Sequence, residues 1–573
     1  MTSLTGRFFA QAERRPGVTC FASRDQSGWN ELSWFDAGTK VRAVMSGLRA
    51  AGVKPGDRVL LLAENRPEWA IFDLAIMGIG ALVVPAYVTH TRADLCHIFD
   101  LVTPNVLIAS SPELTRRGLD AATDYRGLDL VWSEFPETLA SNPPGPSVRG
   151  WGDLLGHEPN DAGLYEAAED DTCCLIFTSG TSGLPKAAML THQSIGANVD
   201  DALEILQRFD FGEKDRFLSF LPLAHAYEHT AGLHMPISMG AEIWFCDSTE
   251  KLQQYLPEVS PTVATAVPRL YDLLHARING QLKSASAAKK WLFKETLRLG
   301  KKRIDNEPLN LFESVLDRLL DRMVREKVRQ RFGGKIRFFI SGGAPLNPEI
   351  GEFFTSLGVG IIQGYGQTEA SPLISVNSPD WIKLHTVGRK FDQVEIKFAD
   401  DGELLVKGPC VMKGYWEDAQ ATAGTIIDGW LHTGDLATMD EDGFLQIVGR
   451  KKDLIVTSGG DNIAPSKLEM LLCSQPEVEQ AVVFGDGRPW LGAVLIPSAD
   501  LIDSCAGNDD QLVLELNNAL KRANSDLNQS ERMRKFVIQS DPCSIENGLL
   551  TPTQKVRRGQ VLKNHEKAIA ALY

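Results

Sequence analysis

LIFTSGTSGLPK, residues 175–186, is the stretch on which the reading of the chain turns. Leu175, Ile176 and Phe177 read as the end of a buried strand, and they run at once into Thr178, Ser179, Gly180, Thr181, Ser182 and Gly183, with Lys186 close behind. Glycines let backbone amides come close to an oxyanion, so hydroxyls, glycines and a lysine after a strand suit a polyphosphate clamp. The spacing is not that of a Walker A loop, because Lys186 is followed by Ala187 rather than Ser or Thr. Taken alone, a loop of this composition is more often a plain turn.

Working outward, short apolar runs at 58–62, 82–85, 106–109, 242–245, 263–267 and 336–340 alternate with helix-like stretches. That alternation is the sequence sign of parallel sheets covered by helices. The apolar run 74–87 is too short to cross a bilayer and reads as a buried helix entering a strand. Beyond residue 385 the texture changes to strand-like segments, 394–398 and 403–406, with turn signals at Asp401-Gly402, Asp428-Gly429 and Asp442-Gly443. The expected fold class is α/β. A large N-terminal region of helix-covered sheets (1–451) carries a β-rich subdomain at 385–451, and a small mobile α+β C-terminal domain follows at 452–573.

The 573 residues carry 43% hydrophobic and 23% charged side chains at a mean hydropathy of -0.13, which excludes a disordered chain or a coiled coil. A net charge of -15 argues against nucleic acid as a partner. Nine scattered cysteines without metal-ligand spacing read as reduced thiols, and the absence of an apolar stretch in the first residues points to a cytoplasmic protein. One segment departs from the acidic average: residues 281–337 hold 16 Lys or Arg against 7 Asp or Glu, a local charge of +9. Leu311, Val315 and Leu319 fall at helical spacing there, so an amphipathic helical insert is expected over 278–335. Either a solvated helix face or a patch for an anionic partner accounts for its charge.

The loop ending in Lys186 is followed in order by Gly364-Tyr365-Gly366-Gln367-Thr368-Glu369, Trp430-Leu431-His432-Thr433-Gly434-Asp435 and Gly449-Arg450-Lys451-Lys452-Asp453. This succession resembles the adenylate-forming superfamily of acyl-CoA synthetases, luciferases and nonribosomal adenylation domains, over nearly the whole chain. The resemblance implies that Thr178–Gly183 and Lys186 hold ATP phosphates, that Gly364 and Tyr365 lie against adenine, that Thr368 contacts the α-phosphate region, and that Glu369 and Thr181 hold Mg²⁺. Gly342, Gly343 and Ala344 resemble the family loop bordering adenine and the acyl channel. Asp435 and Arg450 would reach the ribose, where an acceptor-only carboxylate suits two vicinal hydroxyls. His225, in Pro222-Leu223-Ala224-His225, matches an element beside the acyl substrate. Lys452 falls at the interdomain hinge, Gly459 and Gly460 resemble the loop lining the pantetheine tunnel, and Lys555, in Thr551-Pro552-Thr553-Gln554-Lys555, resembles the adenylation lysine. Asp461 departs from the usual choice in that loop.

Residues 221–228, the basic insert and residues 546–553 resemble the long-chain fatty acyl-CoA synthetase branch. The resemblance then implies an acid-thiol ligase with ATP, Mg²⁺ and coenzyme A: a fatty carboxylate is activated as acyl-AMP with release of pyrophosphate, and the acyl group passes to CoA. Alternatives are a ligase of the same fold for a medium-chain, aryl or other acid, an acyl-AMP ligase that loads a carrier protein, and a nucleotide-binding regulator without turnover. Peripheral contact of the insert with anionic membrane, at its inner face, is a further expectation. Nothing in the sequence fixes the oligomeric state or the acyl length.

Overall fold

The computed structural model describes residues 3–138, 146–159, 163–178, 184–505, 507–525, 527–551 and 554–573. The chain divides into two compact units, the first built from Met1–Thr178, Lys186–Ile396 and Val406–Leu431, the second from Lys397–Leu405 and His432–Tyr573.

Two large sheets organise the first unit. One has eight strands, of which Thr172–Phe177, Leu82–Pro85, Arg58–Leu62, Val106–Ala109, Leu130–Ser133 and Ser147–Gly150 run parallel in that spatial order. The other has nine, with a parallel centre of Gly360–Gly366, Phe338–Ser341, Val263–Ala266, Arg216–Ser219, Glu242–Phe245 and Thr19–Arg24. The expected apolar runs therefore become strands that are buried on both faces, which is why they read as continuous rather than alternating. Helix Pro67–Gly78 packs on strands of both sheets and is buried along its whole length, and its apolar character on every side follows from that position.

The basic segment contains the helices Pro268–Lys283, Ala287–Ile304 and Leu311–Leu320. Its apolar stripe, however, points outward. Leu311, Val315 and Leu319 are 89%, 67% and 51% exposed, whereas Glu313 and Asp317 on the same helix are buried. The inward carboxylates pair with the insert's own cations: Glu313 with Arg298 and Lys302 at 2.8 and 2.9 Å, and Asp317 with Arg325 at 2.8 Å and with Arg303.

In the second unit a three-stranded sheet, Val478–Phe484, Leu491–Pro497 and Met533–Ile538, buries both faces. Val483 and Leu495 pack with Leu468 and Leu516 on one side, Val482 and Val494 with Leu549 and Val561 on the other, the period-two alternation of a strand. All nine cysteines are free thiols, and seven are buried.

Candidate active site

Three loops that carry predicted residues leave the carboxyl ends of parallel strands in the nine-stranded sheet: those after Arg216–Ser219, Phe338–Ser341 and Gly360–Gly366. The chain goes from Arg216–Ser219 to a neighbour on one side, Glu242–Phe245, then returns to Val263–Ala266 on the other. Such a reversal opens a crevice beyond the strand ends where α/β sheets bind ligands.

Into this end of the sheet project His225 and Gly342, joined by Tyr227. The Tyr227 hydroxyl donates to the carbonyl of Ile340 at 2.7 Å, and its ring lies so close under Gly342 that a Cβ there would stand 3.3 Å from it. Burial pushes the Tyr227 phenol well up, so it stays a donor. The backbone N–H of Tyr227 donates to Nδ1 of His225 at 3.1 Å, which makes Nδ1 an acceptor and leaves Nε2 to carry the proton of the neutral ring. Gly343, at φ +82°, and Ala344 are exposed beyond.

Gly364 and Tyr365 end the next strand, paired with Val376 and Ser375. Gly366 admits no side chain, since a Cβ would lie 1.8 Å from the carbonyl oxygen of Pro372. Thr368 and Glu369 follow in a single helical turn, both half-buried.

Glu369 is then linked to the opening motif through a residue that motif reading does not assign. Tyr415 donates its hydroxyl to Glu369 Oε1 at 2.8 Å, and the Lys186 ammonium stands 4.8 Å from the centre of its ring. Tyr415 is placed by a short strand, Gly414–Tyr415, that pairs with Ala188 and Met189 directly after Lys186. Burial first, then the charge of Glu369, raise its phenol, so the hydroxyl donates rather than ionises. Glu369 keeps a second carboxylate oxygen, a hard donor of the kind Mg²⁺ takes, so the residue fits its expected metal role. Ser179, Gly180, Thr181, Ser182 and Gly183 lie outside the described residues. The base of their loop is closed: Thr178 N–H donates to the Lys186 carbonyl at 2.8 Å, and Lys186 N–H to Thr178 Oγ1 at 3.4 Å.

The remaining predicted residues belong to the second unit. Asp435 faces Arg450 across the hairpin of Trp430–Met439 and Leu445–Arg450, with Arg450 Nε 3.0 Å from Asp435 Oδ1. Asp435 is nearly buried at 4% exposure, and its own N–H donates to Thr433 Oγ1 at 3.1 Å. Lys452 is exposed in the turn Lys451–Asp453. Gly459 and Gly460 form the tip of the hairpin between Ile455–Val456 and Asn462–Ile463, and Gly460, at φ +87°, has open space where a side chain would go. Asp461, the unusual residue there, closes this hairpin: its N–H donates to Thr457 Oγ1 at 3.2 Å and its carbonyl accepts from Thr457 N–H at 3.0 Å. Lys555 closes another loop, Thr551 N–H donating to its carbonyl at 2.8 Å and its own N–H to Thr551 Oγ1 at 3.0 Å. Gln554 just before it is held at φ +60°.

A family model described as AMP-binding enzyme matches residues 8–416, and one described as AMP-binding enzyme C-terminal domain matches 452–573. A long-chain-fatty-acid–CoA ligase of Mycobacterium bovis is 33% identical over 569 residues, covering 95% of this chain and 92% of its own. The mouse long-chain-fatty-acid–CoA ligase 6 is 29% identical over 95% of this chain and 82% of its own. Among solved structures, the adenylation domain of a Mycobacterium chelonae carboxylate reductase superposes with a TM-score of 0.81 at 21% identity, covering 100% of this chain and 91% of that one. A benzoate CoA ligase from Burkholderia xenovorans does so at 0.74 and 22%, covering 98% and 100%. The fold is that of the adenylate-forming enzymes, as the motifs implied.

Proposed function

This chain belongs to the AMP-binding enzyme family, and on that premise we propose that it is an acid-thiol ligase joining a long-chain fatty acid to coenzyme A, with ATP cleaved to AMP and pyrophosphate. The observation that carries the activation chemistry is the line Lys186, Tyr415, Glu369, which puts a cation and an oriented carboxylate beside a clasped phosphate-type loop. The fatty substrate is supported by the relatives, which match across both parts of the chain at about a third identity, whereas the aryl-acid ligases are similar in fold.

In the first half-reaction a carboxylate oxygen attacks the α-phosphorus and the bond to the bridging oxygen breaks, releasing pyrophosphate. In the second, the CoA thiol loses its proton, its sulfur attacks the acyl carbonyl and AMP leaves. Phosphoryl chemistry gains chiefly from positioning and charge stabilisation. Lys186 holds the phosphates, Tyr365 the adenine, Asp435 with Arg450 the ribose, and Thr368 the α-phosphate side. Glu369 would hold Mg²⁺, which neutralises polyphosphate charge when bound. His225 and Gly342 flank the acyl group, Lys555 serves the first half-reaction, Gly459 and Gly460 admit the thiol arm, and Lys452 is the hinge.

No helix among the described residues is long and apolar enough to cross a membrane. The outward stripe of the insert supplies another form of contact: Leu311, Phe312, Val315, Leu319 and Met323 are exposed, with Arg318 and Arg322 exposed beside them. An apolar face rimmed by arginines fits the surface of an anionic bilayer, where long-chain acids partition.

Pyrophosphate release measured over straight-chain acids from acetate to long chain, and over benzoate, with and without CoA, tests the reading. The long-chain acids should give the highest kcat/KM with CoA consumed; a maximum at benzoate, or turnover indifferent to CoA, overturns it.

A further inference from the structure

The interior of the first unit holds a polar cluster that this chemistry does not use. Helix Pro67–Gly78, otherwise apolar along its interior, carries Asp73 with no solvent exposure. Opposite it, on the segment Glu228–His234, stand His229 and His234, at 0% and 1% exposure. His229 Nε2 lies 3.0 Å from Asp73 Oδ1, His234 Nε2 lies 3.3 Å from Asp73 Oδ2, and the two Nε2 atoms are 3.3 Å apart. Three donors bound at zinc distances around one centre in a tetrahedron are spaced about 3.3 Å from each other. Here the two Nε2 atoms have that spacing and each stands as close to one oxygen of the carboxylate, so a single donor from each residue lies within 4.8 Å of the other two.

The backbone is shaped to make the pair. Five residues apart on an α-helix, two side chains point roughly 140° away from each other. Glu228–His234 is instead a π-helix, whose wider turn returns the fifth residue to the same side, and such turns are rare and concentrated at functional sites.

Hydrogen bonds join the Nε2 atoms and the carboxylate in the absence of an ion, and they leave other polar atoms of the rings over. The Nδ1 atoms of both histidines are buried with no hydrogen-bond partner. The Nδ1 atoms are orphans whichever way the rings are protonated, so the deciding feature is the triangle of Nε2, Nε2 and carboxylate. Two imidazole nitrogens and a carboxylate gathered within 4.8 Å of one another are the donor set of a divalent transition metal.

We propose that Asp73, His229 and His234 bind one divalent metal ion of the zinc class, as a structural tie between helix Pro67–Gly78 and the segment that follows the Pro222–His225 motif. Two nitrogen donors exclude Mg²⁺, which takes oxygen ligands in octahedral geometry, so this ion is distinct from the one that accompanies ATP. The tie joins the helix that packs on both sheets to the chain segment that sets His225 and Tyr227, which gives the buried site a role at the acyl side without contact with substrate. The proposal stands whether or not the substrate is a fatty acid.

Metal content of the full-length protein, expressed with zinc in the medium and purified without chelator, tests it by mass spectrometry. About one zinc per chain is expected. Protein grown on cobalt should show the visible d–d bands of a tetrahedral nitrogen and oxygen site. H234Q and D73N, each checked for native far-UV circular dichroism, should lose both the metal and the bands. Wild-type protein with less than about 0.1 zinc or cobalt per chain overturns the proposal, a result that needs no variant to fold. So does a folded H234Q or D73N that keeps its full metal.

Discussion

Tyr415 touches Glu369 through its hydroxyl and Lys186 through its ring, so two substitutions separate those contributions. Y415F keeps the ring and removes a hydrogen bond to a charged group, a loss of about 1.5–3 kcal/mol, or roughly 10- to 150-fold in kcat/KM for pyrophosphate release. Y415A should lose more, since the cation then has no aromatic face. Steady-state kinetics on the two variants check this, and a Y415F enzyme equal to wild type removes Tyr415 from the site. Lys555→Ala should cut pyrophosphate release by at least about 100-fold while CoA attack on supplied acyl-AMP survives; equal loss in both assays refutes the division of labour. Asp201 gives a stability test. It is buried in helix His192–Gln207, accepts from Gln393 at 3.2 Å, and burial pushes its carboxyl up to about 6. With its folded value above its unfolded one, its contribution is fully present below about pH 4 and is lost as pH rises through about 6. The melting temperature of D201N relative to wild type should therefore be higher at pH 8 than at pH 4.5, and a pH-independent difference contradicts this. Tyr415 was not legible in the sequence because its role is created by a strand pairing with residues 188–189, far away along the chain. Tyr227 stood inside a quoted motif, yet only the packing of its ring against Gly342 reveals what it does.

At the scale of elements, apolar spacing gives a helix and a face but not the direction that face points. In Leu311–Leu320 the buried side is taken by Glu313 and Asp317, because arginines and lysines of the neighbouring helices meet them there. The stripe is left outside. L311D/V315D/L319D should keep the far-UV spectrum, since all three side chains are in water, and should abolish co-sedimentation with vesicles containing phosphatidylglycerol at low salt. Wild type that sediments equally with neutral and acidic vesicles sinks the membrane reading. The strands were far easier to read. Runs such as 58–62 and 106–109 are continuous and short because helices cover both faces, and turn chemistry at Asp428 and Gly429, both in the left-handed region, marks the hairpin that leads to Asp435.

The whole molecule was legible in outline because its signals are local: buried runs, diglycine loops, motifs in a fixed order. What escaped are couplings between distant segments, among them the Asp73, His229 and His234 cluster, whose first member lies more than 150 residues from the other two. The cysteines show the same limit from the other side. Scatter alone predicted nine thiols, and packing then makes Cys473 the exposed one while seven are buried. Native alkylation followed by mass spectrometry should modify Cys473 rapidly, with all nine reacting in guanidinium without reductant. Fewer than nine would reveal a disulfide.

Lys186 and Lys555 share a local design: each ends a loop whose first residue is a threonine, and each pair exchanges a backbone bond and a hydroxyl bond. A loop pinned at its neck separates tolerance from precision. An added residue in a loop costs only a few tenths of a kcal/mol by closure entropy, so one glycine inserted after Gly183 should leave the melting curve almost unchanged while cutting pyrophosphate release, which calorimetry and the release assay check. If the release assay responds and the melting curve does not, loop length at these two necks tunes chemistry at little cost to folding.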